Sequence, residues 1–308
     1  MTIALIDASG LIYRCFHRTE HMDPQFRYRS DGLPVGAVRD FSKTLFTWLT
    51  RGIYQIHPTH VGVIFDAGGE TFRHVLHDGY KAARPPRPDD LGAQMPLFRE
   101  AVTAFGLQPI EQRGFEADDL LATYARLGVE AGHDVLIVTA DKDMMQLVRP
   151  GVTLYDPPSG DPRFAGYRPE RVINAFEVLA KFGVEPALVP EVQALAGDST
   201  DGIPGVPKVG LKTAAGLIRE FGSAEAVIAC IPQIGRPKLR DAIASNIDAI
   251  RLAHQLVTLL DDVPVPVGID RLAVPSLDPT TLIRFFDRME FRSMAARVRQ
   301  HFSMAEAA

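Results

Sequence analysis

Three short apolar runs constrain this chain more than any other feature. Ile3–Ile6, Val61–Phe65 and Val135–Val138 each run four or five residues, rich in Val and Ile, without polar alternation. Such runs suit strands buried on both faces of a parallel sheet. Helical patterns lie between them. Val38–Trp48 places apolar residues at 38, 41, 45, 46 and 48, and Asp118–Leu127 opens with an acidic turn and stops before Gly128. Strand and helix alternation of this kind predicts an open α/β sheet, mostly parallel and flanked by helices.

After about residue 185 the strand signals fade. Glu191–Ala196 reads as helix, a glycine-rich stretch follows, and Lys212–Glu220 reads as a second helix, so 191–220 is a helix–hairpin–helix pattern. Lys238–Leu260 and Pro279–Phe302 are helical by pattern, joined by a Pro/Val-rich connector near 263–275. The expected division is an α/β core over 1–185 and a mainly helical region over 186–308. Residues 67–96 stand apart, with many Gly, Pro and basic residues and poor periodicity. A connection that long is uncommon in a compact domain unless it is functional.

Composition excludes several classes. With 46% hydrophobic and 23% charged residues the chain is neither disordered nor fibrous. Two cysteines, Cys15 and Cys230, cannot build a Cys-rich metal site or a disulfide scaffold, and they favour a reducing, cytoplasmic setting. MTIALIDASG has no basic n-region, so it does not read as a signal peptide. No apolar stretch is long enough to span a bilayer as a helix, so no membrane partner is expected. There is no Gly-x-Ser-x-Gly elbow and no Walker A loop. A net charge of −5 argues against nucleic-acid binding by bulk charge.

The acids carry the chemistry. Asp7, Asp66 and Asp141 fall at or just beyond the ends of the three apolar runs, where the carboxyl ends of strands form the ligand crevice of an open α/β sheet. Asp143 follows Asp141, while Glu116, Asp118 and Asp119 open a helix and Asp198 and Asp201 precede the glycine hairpin. Singly, each has a bland explanation as a helix cap or a turn residue. Together, nine carboxylates in one crevice would repel one another and require cations. All-oxygen donors favour Mg²⁺ or Mn²⁺, and two such ions can promote phosphodiester hydrolysis.

Five stretches resemble one family: LIDASGLIYRCFH (5–17), VIFDAGGETFRHVLHDGYKAARPP (63–86), GFEADDLLA (114–122), VLIVTADKDMMQLV (135–148) and GDSTDGIPGVPKVGLKTAAGLI (197–218). They are similar to the bacterial 5′→3′ exonucleases, including the 5′-nuclease domain of DNA polymerase I, and to the wider flap-endonuclease superfamily. Nothing here resembles proofreading or polymerase domains. The resemblance implies a PIN-like nuclease core with a helical arch over 67–96 and a C-terminal helix–three-turn–helix element at 191–220. It implies that Asp7, Asp66, Glu116 and Asp118 hold a first metal, and that Asp119, Asp141, Asp143, Asp198 and Asp201 surround a second. Arg73 and Lys81 take the place of residues that contact the scissile phosphate. Both were expected to need an anion between themselves and the acids. Arg84, Gly202, Gly205, Lys208, Gly210 and Lys212 would grip DNA, with a K⁺ ion at the hairpin as a further expectation. Tyr13 fits equally a base-stacking aromatic and a buried core residue.

The resulting expectation is a monomeric, nucleoid-associated, metal-dependent nuclease. It would cleave DNA at 5′ ends, flaps or junctions to leave a 5′-phosphate and a 3′-hydroxyl. The alternatives are a DNA-junction binding module without catalysis and a ribonuclease of the smaller PIN type. The first would lack acids that are present, and the second would lack the 197–218 hairpin.

Overall fold

The computed structural model describes residues 1–160 and 166–306. Among them the strands are β1 (Thr2–Asp7), β2 (His60–Ile64), β3 (Pro109–Ile110), β4 (Asp134–Val138), β5 (Val152–Asp156) and β6 (Arg171–Ile173). The helices of the first half are α1 (Ala8–Thr19), α2 (Pro24–Arg27), α3 (Gly36–Arg51), α4 (Phe72–Leu76), α5 (Asp89–Ala104), α6 (Ala117–Glu130) and α7 (Ala175–Phe182). Those of the second half are α8 (Val189–Ala196), α9 (Leu211–Phe221), α10 (Ala224–Ala229), α11 (Pro237–Ala244), α12 (Ile247–Val257), α13 (Pro279–Arg288) and α14 (Arg292–Glu306).

The sheet order is β3-β2-β1-β4-β5-β6, parallel except for β6. Strand periodicity explains the three apolar runs, because successive side chains point to opposite faces. In β1, Ile3 and Leu5 join one core with α6, α8 and α9, while Ala4 and Ile6 join the other with α1, α3 and α5. β1 lies between β2 and β4, with its following helix on one face and the helix that leads into β4 on the other. That is the switch point of a doubly wound sheet, where the carboxyl ends of the strands open a crevice.

Two elements differ from the sequence reading. Residues 89–96, grouped there with an arch, are the first half of α5. Leu91 and Gln94 of this stretch are buried, and Gln94 Oε1 accepts from the Ala37 and Val38 amides at 2.9 and 3.2 Å. α5 thereby supplies the N-terminal cap that α3 lacks on its own. The chain also returns at its end: Leu282, Phe285, Phe286 and Val298 of α13 and α14 pack in the core formed by α1, α3 and α5, not with the hairpin region.

Candidate metal centre and nucleic-acid interface

Asp7 closes β1 and caps α1, its Oδ1 accepting from the Gly10 amide at 2.9 Å. Gly10 permits this approach, since a Cβ there would lie 2.6 Å from Asp7 Oδ2. That oxygen accepts from the Thr139 hydroxyl at 2.9 Å, so β1 and the end of β4 are tied together at the acid. Asp66, just past β2, accepts from the Ala117 amide at the start of α6 (2.9 Å) and the Ser9 hydroxyl (2.6 Å). Asp141 accepts from the Asp143 amide at 2.8 Å, and Asp143 in turn accepts from Gln193 Nε2 of α8.

These acids feel one another. Burial first, and then the Asp66 and Asp141 charges, push the Asp7 carboxyl up to about 6 against the lowering effect of its hydrogen bonds. Burial and the charges of Asp141 and Asp7 raise Asp118 well above the ordinary carboxylate range. Burial and Asp141 raise Asp143 to about 6. Asp7, Asp66, Asp118 and Asp141 are therefore one electrostatic group, with Asp143 joined through Asp141.

The other four acids already have cations. The Arg73 guanidinium grips Asp119 through two contacts of 2.7 and 2.8 Å and reaches Glu116 at 3.3 Å. Lys81 Nζ lies 2.6 Å from Glu116, Arg84 pairs with Asp201 at 2.6 Å, and Lys142 pairs with Asp198. Among the described residues, the carboxylates of Asp7, Asp66, Asp118, Asp141 and Asp143 form no ion pair with Lys, Arg or His, although Arg99 donates to the Asp66 carbonyl at 3.2 Å. The sheet thus gathers nine acids, and tertiary contacts divide them into five unpaired and four paired.

Arg73 and Lys81 depart from the expectation that an anion must lie between them and the acids. Arg73 is 1% exposed and also donates to the carbonyls of Leu256 (2.8 Å) and Thr258 (3.1 Å) beyond the pocket. Its donors are spent on the fold, which leaves it unavailable to a phosphate. Asp119 is equally committed: its oxygens also accept from the Glu116 and Leu260 amides at 3.2 and 3.1 Å. It is a buried strut and not an open ligand. Lys81 remains partly accessible and holds a left-handed backbone (φ 55°) that L residues rarely adopt. Burial opposes its charge, but Glu116 and Asp118 keep it protonated.

The turn carrying Lys81 is clamped to the hairpin. The Lys81 amide donates to the Asp201 carbonyl at 2.8 Å, and His77 Nε2 lies 3.1 Å from the Gly202 carbonyl. Gly202 has φ 68°, and a Cβ there would sit 2.1 Å from the Gly79 carbonyl oxygen. A Cβ on Gly205 would meet the Ala196 carbonyl at 2.3 Å. Both glycines, expected to grip DNA, instead permit backbone contacts within the protein. Gly210 differs: it precedes α9 with no side-chain cap, and open space surrounds its Cβ position. Lys208 and Lys212 are exposed on either side of it. Tyr13 is 41% exposed, which removes the buried alternative.

The donor set suits a hard cation. It consists of carboxylate oxygens whose mutual repulsion a divalent ion would relieve. Gln193, beside Asp143, keeps a buried Oε1 with no partner. Among the described residues no three His, Cys, Asp or Glu side chains close into a ready-made cage. That is compatible with Mg²⁺, which binds through one or two carboxylates with water and substrate oxygens completing its shell. Sequence reasoning missed Lys142 although it lies inside TADKD, between two of the singled-out acids. It also missed Gln193 and Tyr80, whose hydroxyl donates to Glu116 at 2.8 Å. Neither has a local signal, because both act across the fold.

A doubly wound sheet with carboxylates at its switch point, backed by a glycine hairpin, suits metal-assisted hydrolysis. The chain belongs to the 5′-3′ exonuclease family: the N-terminal resolvase-like domain matches residues 2–183 and the C-terminal SAM fold matches residues 184–280. DNA polymerase I of Rhizobium leguminosarum is 41% identical over 96% of this chain, which spans 28% of that protein. The thermostable DNA polymerase I of Thermus aquaticus is 34% identical over 95% of the chain, which spans 32% of it. The chain thus spans about a third or less of these relatives. Among solved structures, the T5 D15 protein co-crystallised with metal ions superposes with a TM-score of 0.63 at 20% identity, over 96% of this chain and all of that one. The catalytic core of Rad2 in complex with DNA substrate gives 0.58 at 15% identity, over 93% and 87%. These two likenesses support the fold. No helix among the described residues is long and apolar enough to cross a membrane.

Proposed function

We propose that the chain is a structure-specific, divalent-metal-dependent 5′-nuclease that hydrolyses DNA phosphodiesters at or near 5′ ends, flaps and junctions. One observation carries this reading: the five carboxylates without cationic partners are those at the switch point of the sheet. Asp7, Asp66, Asp118, Asp141 and Asp143 would hold two Mg²⁺ or Mn²⁺ ions, with Glu116 and Asp198 as neighbours able to join them. Ions held by these residues would make an attacking water more acidic and offset charge on the leaving 3′ oxygen; the products would be a 5′-phosphate and a 3′-hydroxyl.

The protein's own residues do the rest. Lys81, at the pocket's edge, offers an ammonium to a phosphate oxygen once an anion competes for it with Glu116. The exposed Tyr13 ring offers a stacking face to an unpaired base. The start of α9, with its uncapped amides and Lys208 and Lys212, grips duplex phosphates without reading sequence. A K⁺ ion at the hairpin and a monomeric, cytoplasmic enzyme belong to the same proposal.

Incubation of a 5′-flap duplex with Mg²⁺ or with EDTA, comparing wild type with Asp118→Asn, tests it. Cleavage near the junction should require the metal and vanish in the variant. Persistent cleavage by Asp118→Asn would overturn the site. Tight junction binding by wild type without cleavage in Mg²⁺ would favour the non-catalytic binding module.

A further inference from the structure

The pairing of Lys142 with Asp198 points beyond this scheme. Lys142 lies between Asp141 and Asp143 in sequence, yet its ammonium crosses to Asp198 on the hairpin. There it stands within electrostatic reach of Asp143, Asp198 and Asp141 together. Asp198 Oδ1 is already taken by the Thr200 amide at 2.9 Å, so the ammonium occupies the oxygen that would otherwise be open. The other three cations differ. Arg73 is buried and bonded on every side, Arg84 serves Asp201 through two nitrogens, and Lys81 serves Glu116. Lys142 is the cation paired with Asp198, with Lys181 beyond ion-pair distance as a second charge near Asp143 and Asp141; the Lys142 side chain is 41% exposed on a flexible stem, free to swing into solvent.

We infer that Lys142 is a tethered cation that holds Asp198 until a divalent ion displaces it, so that metal loading on the hairpin side of the pocket is a competition between an ammonium and an ion. This rests on the proposed metal reading. An ammonium supplies one charge and no ligand oxygen. A divalent ion supplies two charges and draws Asp143, Asp141 and Asp198 together. When Lys142 leaves, the core–hairpin link it provides passes to the ion. Its departure also removes a positive charge that opposes entry of a cation there.

Calorimetric titration of the whole chain with MgCl₂, with no DNA present, tests this on wild type, Lys142→Met and Lys142→Arg. Lys142→Met keeps the aliphatic stem and loses the charge. It should bind Mg²⁺ more tightly by roughly two- to fivefold, the scale of one partly exposed ion pair. Its metal-free melting temperature should fall and recover with Mg²⁺. Lys142→Arg keeps the charge and adds a second donor, so it should bind Mg²⁺ as wild type does or more weakly. Unchanged or weaker binding by Lys142→Met, or tighter binding by Lys142→Arg, overturns the inference alone. A wild type that takes up no divalent ion overturns both it and the metal reading. Should Lys142→Met fail to fold, the Lys142→Arg arm decides.

Discussion

Arg73 and Asp119 show how a residue type can be read correctly and its task misread. A basic residue near acids in a nuclease-like motif suggests a phosphate contact. In the fold, the guanidinium is buried and spends its donors on Asp119, Glu116 and two carbonyls. Removing one partner of a buried pair leaves an uncompensated charge. Arg73→Met should therefore destabilise the metal-free protein by about 3–5 kcal/mol, seen as a lower urea midpoint. A loss below about 1 kcal/mol would mean the pair is not holding the core. Lys81 should behave in the opposite way. Lys81→Ala should slow single-turnover cleavage by about a hundredfold, the scale of one transition-state charge contact, with little loss of stability. Equal losses in cleavage and duplex binding would contradict that division between Lys81 and the hairpin.

At the scale of elements, the hairpin is a joint as much as a surface. The antiparallel bridge between Asp198 and Ile203 closes it, and Gly202 seats it against the Lys81 turn. Gly202→Ala should cost at least about 1–3 kcal/mol, because φ is positive and a carbonyl occupies the Cβ position. Gly210→Ala, with φ −98° and open space, should cost less, about 0.5–1 kcal/mol in thermal denaturation, because alanine is a poorer N-cap than glycine. A second joint ties α8 to α12 through His254 and Glu191 at 3.0 Å. The hydrogen bond to Glu191 raises the imidazole above its usual 6.5 despite burial. A raised histidine stabilises the fold fully below 6.5, and the gain is lost as pH rises through the folded value. Melting temperature should therefore decline over that window in wild type and decline less in His254→Gln. Identical pH profiles would show that the pair contributes nothing.

For the whole molecule, the net charge of −5 averages two regions with opposite tasks. The nine singled-out acids come from the strand ends, the start of α6 and the hairpin, and the rest of the chain is net basic. Divalent metal should accordingly raise the melting temperature by several degrees at neutral pH, as a ligand of the folded state does. EDTA should stop cleavage while duplex binding, measured by anisotropy, falls only in part. If binding and cleavage disappeared together on chelation, the hairpin could not be the independent grip assigned to it.

The strands β1, β2 and β4, the mostly parallel α/β sheet and the position of Asp7, Asp66 and Asp141 were legible because each depends on a local signal; β3, β5, the antiparallel β6 and the strand order were not. A buried run followed by an acid is readable within ten residues, and a parallel sheet brings such run ends to one edge. The helices α6, α8 and α9 were legible through their periodicity and end signals. The pairing of charges was not. Arg73 with Asp119, Lys142 with Asp198 and Arg84 with Asp201 join residues 46, 56 and 117 positions apart. Nor was the first half of α5, where proline and acidic residues mask a helix whose burial comes from α3. Sequence by itself determined that Asp7, Asp66 and Asp141 reach the crevice, because strand geometry carries them there. Only tertiary structure decided which of the nine acids remain open to a metal, because a carboxylate's availability depends on the cation that folding brings beside it.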